Sequence, residues 1–302
     1  MIEIKGEKDK GLKEYVVVTD SASDVPEEYV KKYNINIIPI YIHYNGKEYK
    51  DGVDISSEQI YTLQKEKKAI FNSSSPSPLD FVTVYQELLK TYKKIISIHI
   101  SSKLSGVIKS AKIARSLIKA EKRIEIFDSL SATMGTGFMA IAAAKAIIKK
   151  YPWEKILSIL EFLKKNIKLY GTIDTLKYLR RSRRVPALAN IALTIFRIKP
   201  ILCIKDGIAK MTGIAVTRYG SLINIVKRVV KDFKKEELVF ISIVHTLSME
   251  ESKRVMKKIQ SLLNCVESII TECTPVIGAH TGPGLIGIIV SKVNRDLADL
   301  FI

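Results

Sequence analysis

The chain has 302 residues, of which 47% are hydrophobic, and this is enough apolar material for a large folded core rather than a disordered chain. Its formal net charge of +18 is spread over lysines that accompany apolar periodicities, so specific nucleic-acid recognition is not expected, whereas transient contact with an anionic membrane surface would suit the charge. The three cysteines are odd in number and show no CxxC spacing, which argues against a disulfide framework or a zinc site and favours a cytoplasmic protein.

The amino-terminal half alternates short apolar runs of strand type with segments of helical periodicity. The predicted strands are Tyr15–Thr19, Ile35–Ile42, a strand that starts at Ile95, and Arg123–Phe127. The predicted helices are Pro26–Tyr33, Ser57–Lys67, Leu79–Tyr92, Ser105–Lys119 and Thr133–Lys150. Such alternation predicts a parallel sheet with helices on both faces, that is, a three-layer α/β domain, which we place at residues 14–160.

The carboxy-terminal half has a less regular order of elements. The predicted helices are Glu154–Lys165, Asp174–Leu179, Ala187–Phe196, Leu222–Phe233 and Met249–Leu263. The predicted strands are Lys168–Thr172, Pro200–Ile204, Ile208–Met211, Ile214–Thr217, Leu238–Val244, Ser268–Thr271, Pro275–His280 and Leu285–Val290. Asp206-Gly207 is a hairpin signal, and the last two strands are expected to pair around Gly282-Pro283-Gly284. The mixture predicts an α+β domain with a mixed sheet, which we place at residues 161–302.

Four polar loops of the amino-terminal half carry hydroxyl, carboxyl or glycine residues. They are Thr19–Asp24, Asn72–Pro78, Ser101–Gly106 and Asp128–Gly135. Loops at the carboxyl ends of parallel strands gather at one edge of a sheet, and a helix that starts there offers unpaired N–H groups to an anion. Helix capping explains any single loop, and we interpret Asp24 as such a cap. The four loops together predict an anion-binding site.

No established catalytic motif accompanies these loops. The chain has no GxSxG elbow and no P-loop, and its four histidines show no metal-ligand spacing. His280 differs from the other three because it lies directly before a tight Thr281-Gly282-Pro283-Gly284 turn. An enzyme that uses a serine nucleophile, a hydrolase or an acyl transferase, remains an alternative.

A series of motifs in this order resembles the DegV family. The motifs are Thr19-Asp20-Ser21, the Ser-Ser-x-Pro-Ser stretch at 73–77, Ser101-Ser102-Lys103-Leu104-Ser105-Gly106, Asp128-Ser129 with Gly135 and Gly137, Lys199-Pro200-Ile201-Leu202 with Asp206-Gly207, and His280 with Gly282-Pro283-Gly284. The resemblance extends from about Val16 to Val290. The Ser-Ser-x-Leu-Ser-Gly string with its correctly spaced companions is the most specific part.

The resemblance implies a DegV-like fold and a non-catalytic, fatty-acid-binding protein without cofactor or metal. Such a protein holds a long-chain fatty acid in a hydrophobic tunnel and presents the carboxylate to a separate ATP-dependent kinase subunit, which forms acyl phosphate for phospholipid synthesis. By motif position, the carboxylate would be held by Ser73 and by Ser101 or Ser102. The same comparison places Arg184, His280, Gly106, Asp128 and Ser129 in the headgroup region. A lipid-sensing regulator without a kinase partner remains an alternative.

The chain departs from the family pattern at three places. Ser73 stands where the family usually has Thr, which keeps the hydroxyl, and Val107 stands where a Thr usually follows the Ser-Gly pair. Ser182 and Arg183 replace a glycine pair before Arg184, which disfavours backbone shapes that need a positive φ. Ordinary core packing explains the candidates for the tunnel lining at least as well; these are Phe138, Met139, Ile141 and Phe196.

Overall fold

A computed structural model of the chain describes residues 12–182, 184–185 and 198–301. In chain order, the strands are β1 (Lys13–Asp20), β2 (Ile35–Ile38), β3 (Tyr41–Tyr44), β4 (Lys47–Lys50), β5 (Asn72–Ser74), β6 (Tyr92–His99), β7 (Ile124–Asp128), β8 (Lys168–Thr172), β9 (Lys199–Lys205), β10 (Ile208–Ala215), β11 (Leu238–His245), β12 (Asn264–Glu272) and β13 (Ile286–Lys292). The helices are α1 (Glu27–Tyr33), α2 (Ser57–Glu66), α3 (Pro78–Leu89), α4 (Val107–Leu117), α5 (Met134–Ile148), α6 (Trp153–Asn166), α7 (Lys177–Arg181), α8 (Arg218–Asp232), α9 (Met249–Gln260), α10 (Pro275–Thr281) and α11 (Arg295–Phe301). The predicted helix Ala187–Phe196 falls outside the described residues.

The amino-terminal half contains a parallel sheet with the strand order β2-β1-β6-β7. Its side chains alternate between two cores, as the pleat of a strand requires. Val17 and Ile96 face the core formed with α5, whereas Val16, Val18 and Ile95 face the core formed with α3 and α4. Helices thus cover both faces of the sheet, and the predicted three-layer α/β arrangement is confirmed.

The carboxy-terminal half contains a mixed sheet with the strand order β10-β9-β8-β13-β11-β12. β11 and β12 are parallel, and the other neighbours are antiparallel, so the predicted mixed sheet is confirmed. α8 and α9 pack on its outer face, while its inner face turns towards α5 and α6. The predicted domain ranges, 14–160 and 161–302, remain predictions, and residue 160 falls inside α6.

α5 lies between the two sheets and is buried on nearly every side. Phe138 stacks on Phe240 of β11 with ring centroids 3.5 Å apart, which joins the helix to the carboxy-terminal sheet. Met139 and Ile141 are likewise fully buried in this shared core. These three residues are therefore core residues. None of the described helices has both the length and the apolar character needed to cross a membrane.

One correction concerns Ile35–Ile42, which was predicted to be a single strand. The segment is divided between β2 in the parallel sheet and β3 in a small antiparallel sheet of order β4-β3-β5. Pro39 lies between them and has no N–H for a ladder hydrogen bond, so the chain can leave the first sheet there.

A second correction concerns Asp24, which does not cap α1. The N-cap of α1 is Pro26, and the Asp24 carboxylate instead accepts hydrogen bonds from Thr274.

Three further corrections concern the carboxy-terminal half. Pro275–His280 is not a strand but most of helix α10, because a proline in the first turn is already set to helical φ. Ile214–Thr217 is not a separate strand, since β10 continues through a bulge between Met211 and Gly213 to Ala215. The sequence patterns also missed α11 and the β3–β4 hairpin, although Asn45-Gly46 is a strong hairpin signal.

Candidate functional site

A cavity of about 400 Å³ lies between the inner face of the carboxy-terminal sheet and the loops that follow the amino-terminal strands. Its walls are mostly aliphatic. They include Ile100, Leu169, Leu202, Ile204, Val244 and Leu285. Most of the polar side chains in the lining belong to one group, which we call the polar cluster: Ser73, Ser75, Ser105, Arg184 and His280. An apolar cavity with a few convergent polar groups is the usual form of a small-molecule site.

Three distant segments meet at the centre of the polar cluster. Ser73 lies on β5, His280 lies in the last turn of α10, and Arg184 follows α7. The Ser73 Oγ atom lies 2.8 Å from His280 Nε2 and accepts a hydrogen bond from Arg184 Nη2 at 3.0 Å. Arg184 Nη1 lies 3.4 Å from His280 Nδ1. The guanidinium therefore contacts both the hydroxyl and the imidazole.

His280 is neutral at physiological pH. Burial, together with the positive charge of Arg184, lowers the pKa of the imidazole to about 3. Because Nδ1 faces an N–H donor of Arg184, it is the acceptor nitrogen, and the ring proton is on Nε2, which donates to Ser73. The Ser73 oxygen thus accepts two hydrogen bonds, and its own O–H proton is left to donate to a ligand.

Arg184 supplies the positive charge of the site. Burial lowers the pKa of its guanidinium, which nevertheless keeps its proton at neutral pH. Its Nη1 also donates to the carbonyl of Ser182 at 3.2 Å, which fixes the direction of the side chain. Ser182 has a φ of −69°, so the serine that replaces a family glycine there causes no backbone strain. Arg183, the other replacement, lies outside the described residues.

The loop between β6 and α4 contributes Ser105 and Gly106 to the cavity. Ser105 Oγ lies 3.1 Å from Ser75 Oγ, so the two serine loops contact each other through their hydroxyls. A Cβ atom at Gly106 would lie 3.1 Å from Ser75 Oγ, and glycine permits this close approach. Gly106 is also the N-cap of α4 and has no side chain to bond the first N–H groups of that helix.

Ser101 and Ser102 do not line the cavity. Ser101 is fully buried, and its hydroxyl donates to the carbonyl of Gly207 at 2.7 Å, which joins this loop to the β9–β10 turn. Ser102 is exposed, and its backbone N–H donates to Asp128. The structure therefore does not bring these hydroxyls to Ser73. Ser105, three positions further along, is the serine of the motif that enters the cavity.

Asp128 and Ser129 organise the loop after β7 from outside the cavity. The Asp128 Oδ1 atom accepts hydrogen bonds from the N–H groups of Ser102 and Leu130. Ser129 Oγ lies 2.9 Å from the hydroxyl of Thr136 and accepts from the N–H of Ser131. Thr133, which the sequence prediction did not single out, is the polar residue of this loop that lines the cavity.

The candidates for the tunnel lining are replaced by residues of the inner sheet face. None of Phe138, Met139 and Ile141 borders the cavity, and Phe196 lies outside the described residues. The sheet contributes to the apolar wall through Leu169 and Gly171 of β8, through residues 202–204 of β9, through Val244 of β11, and through Leu285 and Gly287 at β13. Sequence patterns identified these strands, but they could not indicate which face borders a void.

Three serine–histidine pairs bear on the alternative of a serine nucleophile. Ser74 Oγ borders the cavity and lies 2.8 Å from His43 Nε2, but Glu48 is exposed and lies 3.7 Å from His43 Nδ1, too far for the hydrogen bond that orients the base in a triad. Ser97, His99 and Asp20 form a hydrogen-bonded chain of 2.6 and 3.0 Å, but all three are fully buried and do not border the cavity. The third pair is Ser73 with His280. There the position that a carboxylate takes in a catalytic triad is occupied by the cation Arg184, and a base with a pKa of about 3 is a poor proton acceptor at neutral pH.

In the described part of the chain, no group of three or more His, Cys, Asp or Glu side chains is arranged to hold a metal ion. The chemistry that the site offers is thus hydrogen bonding and one positive charge, next to a large aliphatic surface. The fold and the site together define a class: an α/β protein with an apolar ligand cavity between a parallel and a mixed sheet, and an anion-binding group within that cavity.

Comparison with known proteins gives the family. Residues 14–293 match the model of the DegV family, which is described as an uncharacterised protein family. A DegV domain-containing protein of Caldanaerobacter subterraneus subsp. tengcongensis is 32% identical over 280 residues, which are 92% of this chain and 98% of that protein. The chain therefore belongs to the DegV family, and the resemblance of its motifs is confirmed.

Solved structures with the same fold support this assignment. A DegV family protein from Thermus thermophilus, described by its fatty acid binding, is 27% identical and has a TM-score of 0.86; the match covers 93% of this chain and 100% of that one. DegV from Bacillus subtilis, described as a fatty acid binding protein, is also 27% identical and has a TM-score of 0.82, with 92% and 99% covered.

Proposed function

We propose that this protein binds a long-chain fatty acid in the cavity. The observation that carries the proposal is the placement of charge: among the described residues that line the cavity, only Arg184 carries a formal charge, and it lies beside a serine and a neutral histidine. The carboxylate of the ligand accepts hydrogen bonds from Arg184 and Ser73, and Ser105 lies close by. The acyl chain lies against the aliphatic walls.

The energetics of such a ligand match the two parts of the cavity. Each buried methylene contributes about 0.8 kcal/mol, so the hydrocarbon supplies most of the gross affinity of a long-chain acid. An isolated carboxylate is costly to bury, and the guanidinium with the Ser73 hydroxyl offsets that cost. The fatty acid binding named for the relatives from Thermus thermophilus and Bacillus subtilis supports the same ligand class.

We further propose that the bound carboxylate is presented to a separate ATP-dependent kinase subunit in the cytoplasm. A shallow surface depression borders the cavity and shares Ser73, Leu104 and Arg184 with it. Arg181 and Ser182 also line this depression, so a partner enzyme could approach the carboxylate there. In this proposal the protein is a carrier, and the kinase supplies the site for ATP.

The cargo can be tested on the purified protein. Native mass spectrometry followed by lipid extraction is expected to find one long-chain fatty acid per chain. Adding an ATP-dependent fatty acid kinase with MgATP should then give acyl phosphate, which hydroxylamine traps. A fatty acid cargo that no such kinase phosphorylates would favour the lipid-sensing regulator, and a covalent acyl-serine adduct would favour the hydrolase or transferase.

Ser73→Ala is expected to weaken fatty-acid binding about tenfold in a titration with a fluorescent fatty acid. The variant removes the hydroxyl that donates to the carboxylate, and a hydrogen bond to a charged group contributes roughly 1.5 kcal/mol or more. Ser102→Ala is the matched control, because Ser102 is exposed and outside the cavity. Equal affinity of both variants would contradict the assignment of Ser73.

A further inference from the structure

Two glycines face each other on the inner face of the carboxy-terminal sheet. Gly171 of β8 pairs with Gly287 of β13, and both line the cavity. On their outer sides, Gly171 pairs with Leu202 of β9, and Gly287 pairs with Val244 of β11. One row across four strands therefore has two positions without side chains between two aliphatic ones. We call these four residues the glycine trough.

The trough is a depression in a face that otherwise carries bulky side chains. Leu169 of β8 and Ile173 just after it flank Gly171 on the same face, and Leu285 just before β13 and Ile289 within it flank Gly287. Neighbouring strands are about 4.8 Å apart, so the backbones that carry Leu202 and Val244 are about 14 Å apart. The backbone is bare across the middle of this width and borders the cavity directly.

The protein's own packing excludes a side chain at one of these glycines and crowds the other less severely. A Cβ atom at Gly287 would lie 2.8 Å from Val244 Cγ2, so packing excludes a larger residue there. At Gly171 such a Cβ would lie 3.3 Å from the backbone oxygen of Ile286, a tight contact that a shift of a few tenths of an ångström relieves, and its next neighbours, Gly287 Cα and Leu285 Cδ1, would lie at the ordinary distances of 3.6 and 3.7 Å. No positive φ requires glycine at 171. A glycine inside a strand weakens it, and it often marks the close approach of a ligand.

We propose that the glycine trough is the acyl-length determinant of the cavity, with the hydrocarbon chain lying against the bare backbone at Gly171. This inference rests on the proposed fatty-acid ligand and adds the residue that sets how long a chain the cavity accepts. A side chain at position 171 fills the trough and stops the acyl chain before it. Chains short enough to end before the trough keep their contacts.

The test compares wild type with Gly171→Leu and Gly171→Ala in displacement titrations with octanoic, dodecanoic, hexadecanoic and octadecanoic acids. Each methylene kept out of the cavity weakens binding about fourfold. Gly171→Leu is expected to bind octadecanoic acid at least tenfold more weakly, while its affinity for the shortest acid that wild type binds changes less than about threefold. Gly171→Ala should shift the length profile in the same direction by a smaller step.

Thr172→Val is the matched control. Thr172 is the next residue of β8, on the opposite face of the strand and outside the cavity. Its length profile should equal that of wild type. Retention of octadecanoic acid by both Gly171 variants, or an equal loss at every chain length, would overturn the trough as the length determinant. A wild-type protein that binds none of the acids would instead refute the proposed function. If Gly171→Leu does not fold, the Gly171→Ala profile decides.

Discussion

Arg184→Ala is expected to bind long-chain fatty acids roughly 30-fold more weakly than wild type. Among the described lining residues, Arg184 is the one with a formal charge, and its guanidinium contacts both Ser73 and His280. Without it, the carboxylate would enter an apolar cavity with neutral donors alone. Titration with a fluorescent fatty acid measures the loss, and the loss should shrink at acidic pH, where the ligand itself becomes neutral.

Two further variants separate this effect from a general loss of positive charge. Arg180→Ala removes an exposed arginine of the nearby helix α7 and should leave binding unchanged. Arg184→Lys keeps the charge but loses the planar fork that contacts two partners at once, so its affinity should be intermediate. If Arg180→Ala weakened binding as much as Arg184→Ala, the charge would act at long range and not on the carboxylate.

The alternation of strands and helices was sufficient to predict the two larger sheets, because periodicity and element order are local properties of the sequence. The predictions failed where the surrounding structure decided. Pro275–His280 is apolar enough for a strand, yet Thr274 and Val276 donate their N–H groups to buried carboxylates of Asp24 and Asp51, which hold the start of a helix. Those two carboxylates are more than 220 residues away in the sequence, at separations of 250 and 225.

The site was predictable only in part, for the same reason. Ser73 and His280 are 207 residues apart, and no spacing rule connects them, so their pairing came from the family resemblance alone. Within the Ser-Ser-x-Leu-Ser-Gly motif, the family pattern did not identify which serine faces the cavity. The geometry of the loop turns Ser101 towards Gly207 and Ser105 towards Ser75. The order of serines in the motif does not determine this geometry.

The helix that presents His280 begins on two buried acids. The Asp24 Oδ1 atom accepts hydrogen bonds from the Thr274 N–H at 2.8 Å and the Thr274 hydroxyl at 2.9 Å, and Asp51 Oδ1 accepts from the Val276 N–H at 2.9 Å. Both carboxyls are almost fully buried. Burial raises the pKa of Asp24 and of Asp51 to about 7 in each case, since it disfavours the charged form.

The Asp51→Asn variant is expected to gain stability relative to wild type as the pH rises. In the folded state the pKa of Asp51 is about 7, against 3.8 for the free side chain, so the folded protein binds the proton more tightly than the unfolded chain does. Wild type therefore loses stability as the pH rises from about 4 to about 7, and the loss is complete above that range. At 1.36 kcal/mol per pH unit, the free energy of unfolding of the variant minus that of wild type should grow by about 2–3 kcal/mol between about pH 5 and pH 8.

Urea-induced unfolding at the two pH values measures this difference, and comparing them cancels any effect of the amide that does not depend on pH. Ser57→Ala is the matched control. The Ser57 hydroxyl donates to the Cys273 carbonyl beside the same helix start, and a serine hydroxyl does not titrate in this pH range. Its effect on unfolding should be the same at both pH values. If the Asp51→Asn difference were equally constant, the carboxyl would be ionised in the folded protein across this range. The start of α10 would then rest on a buried negative charge.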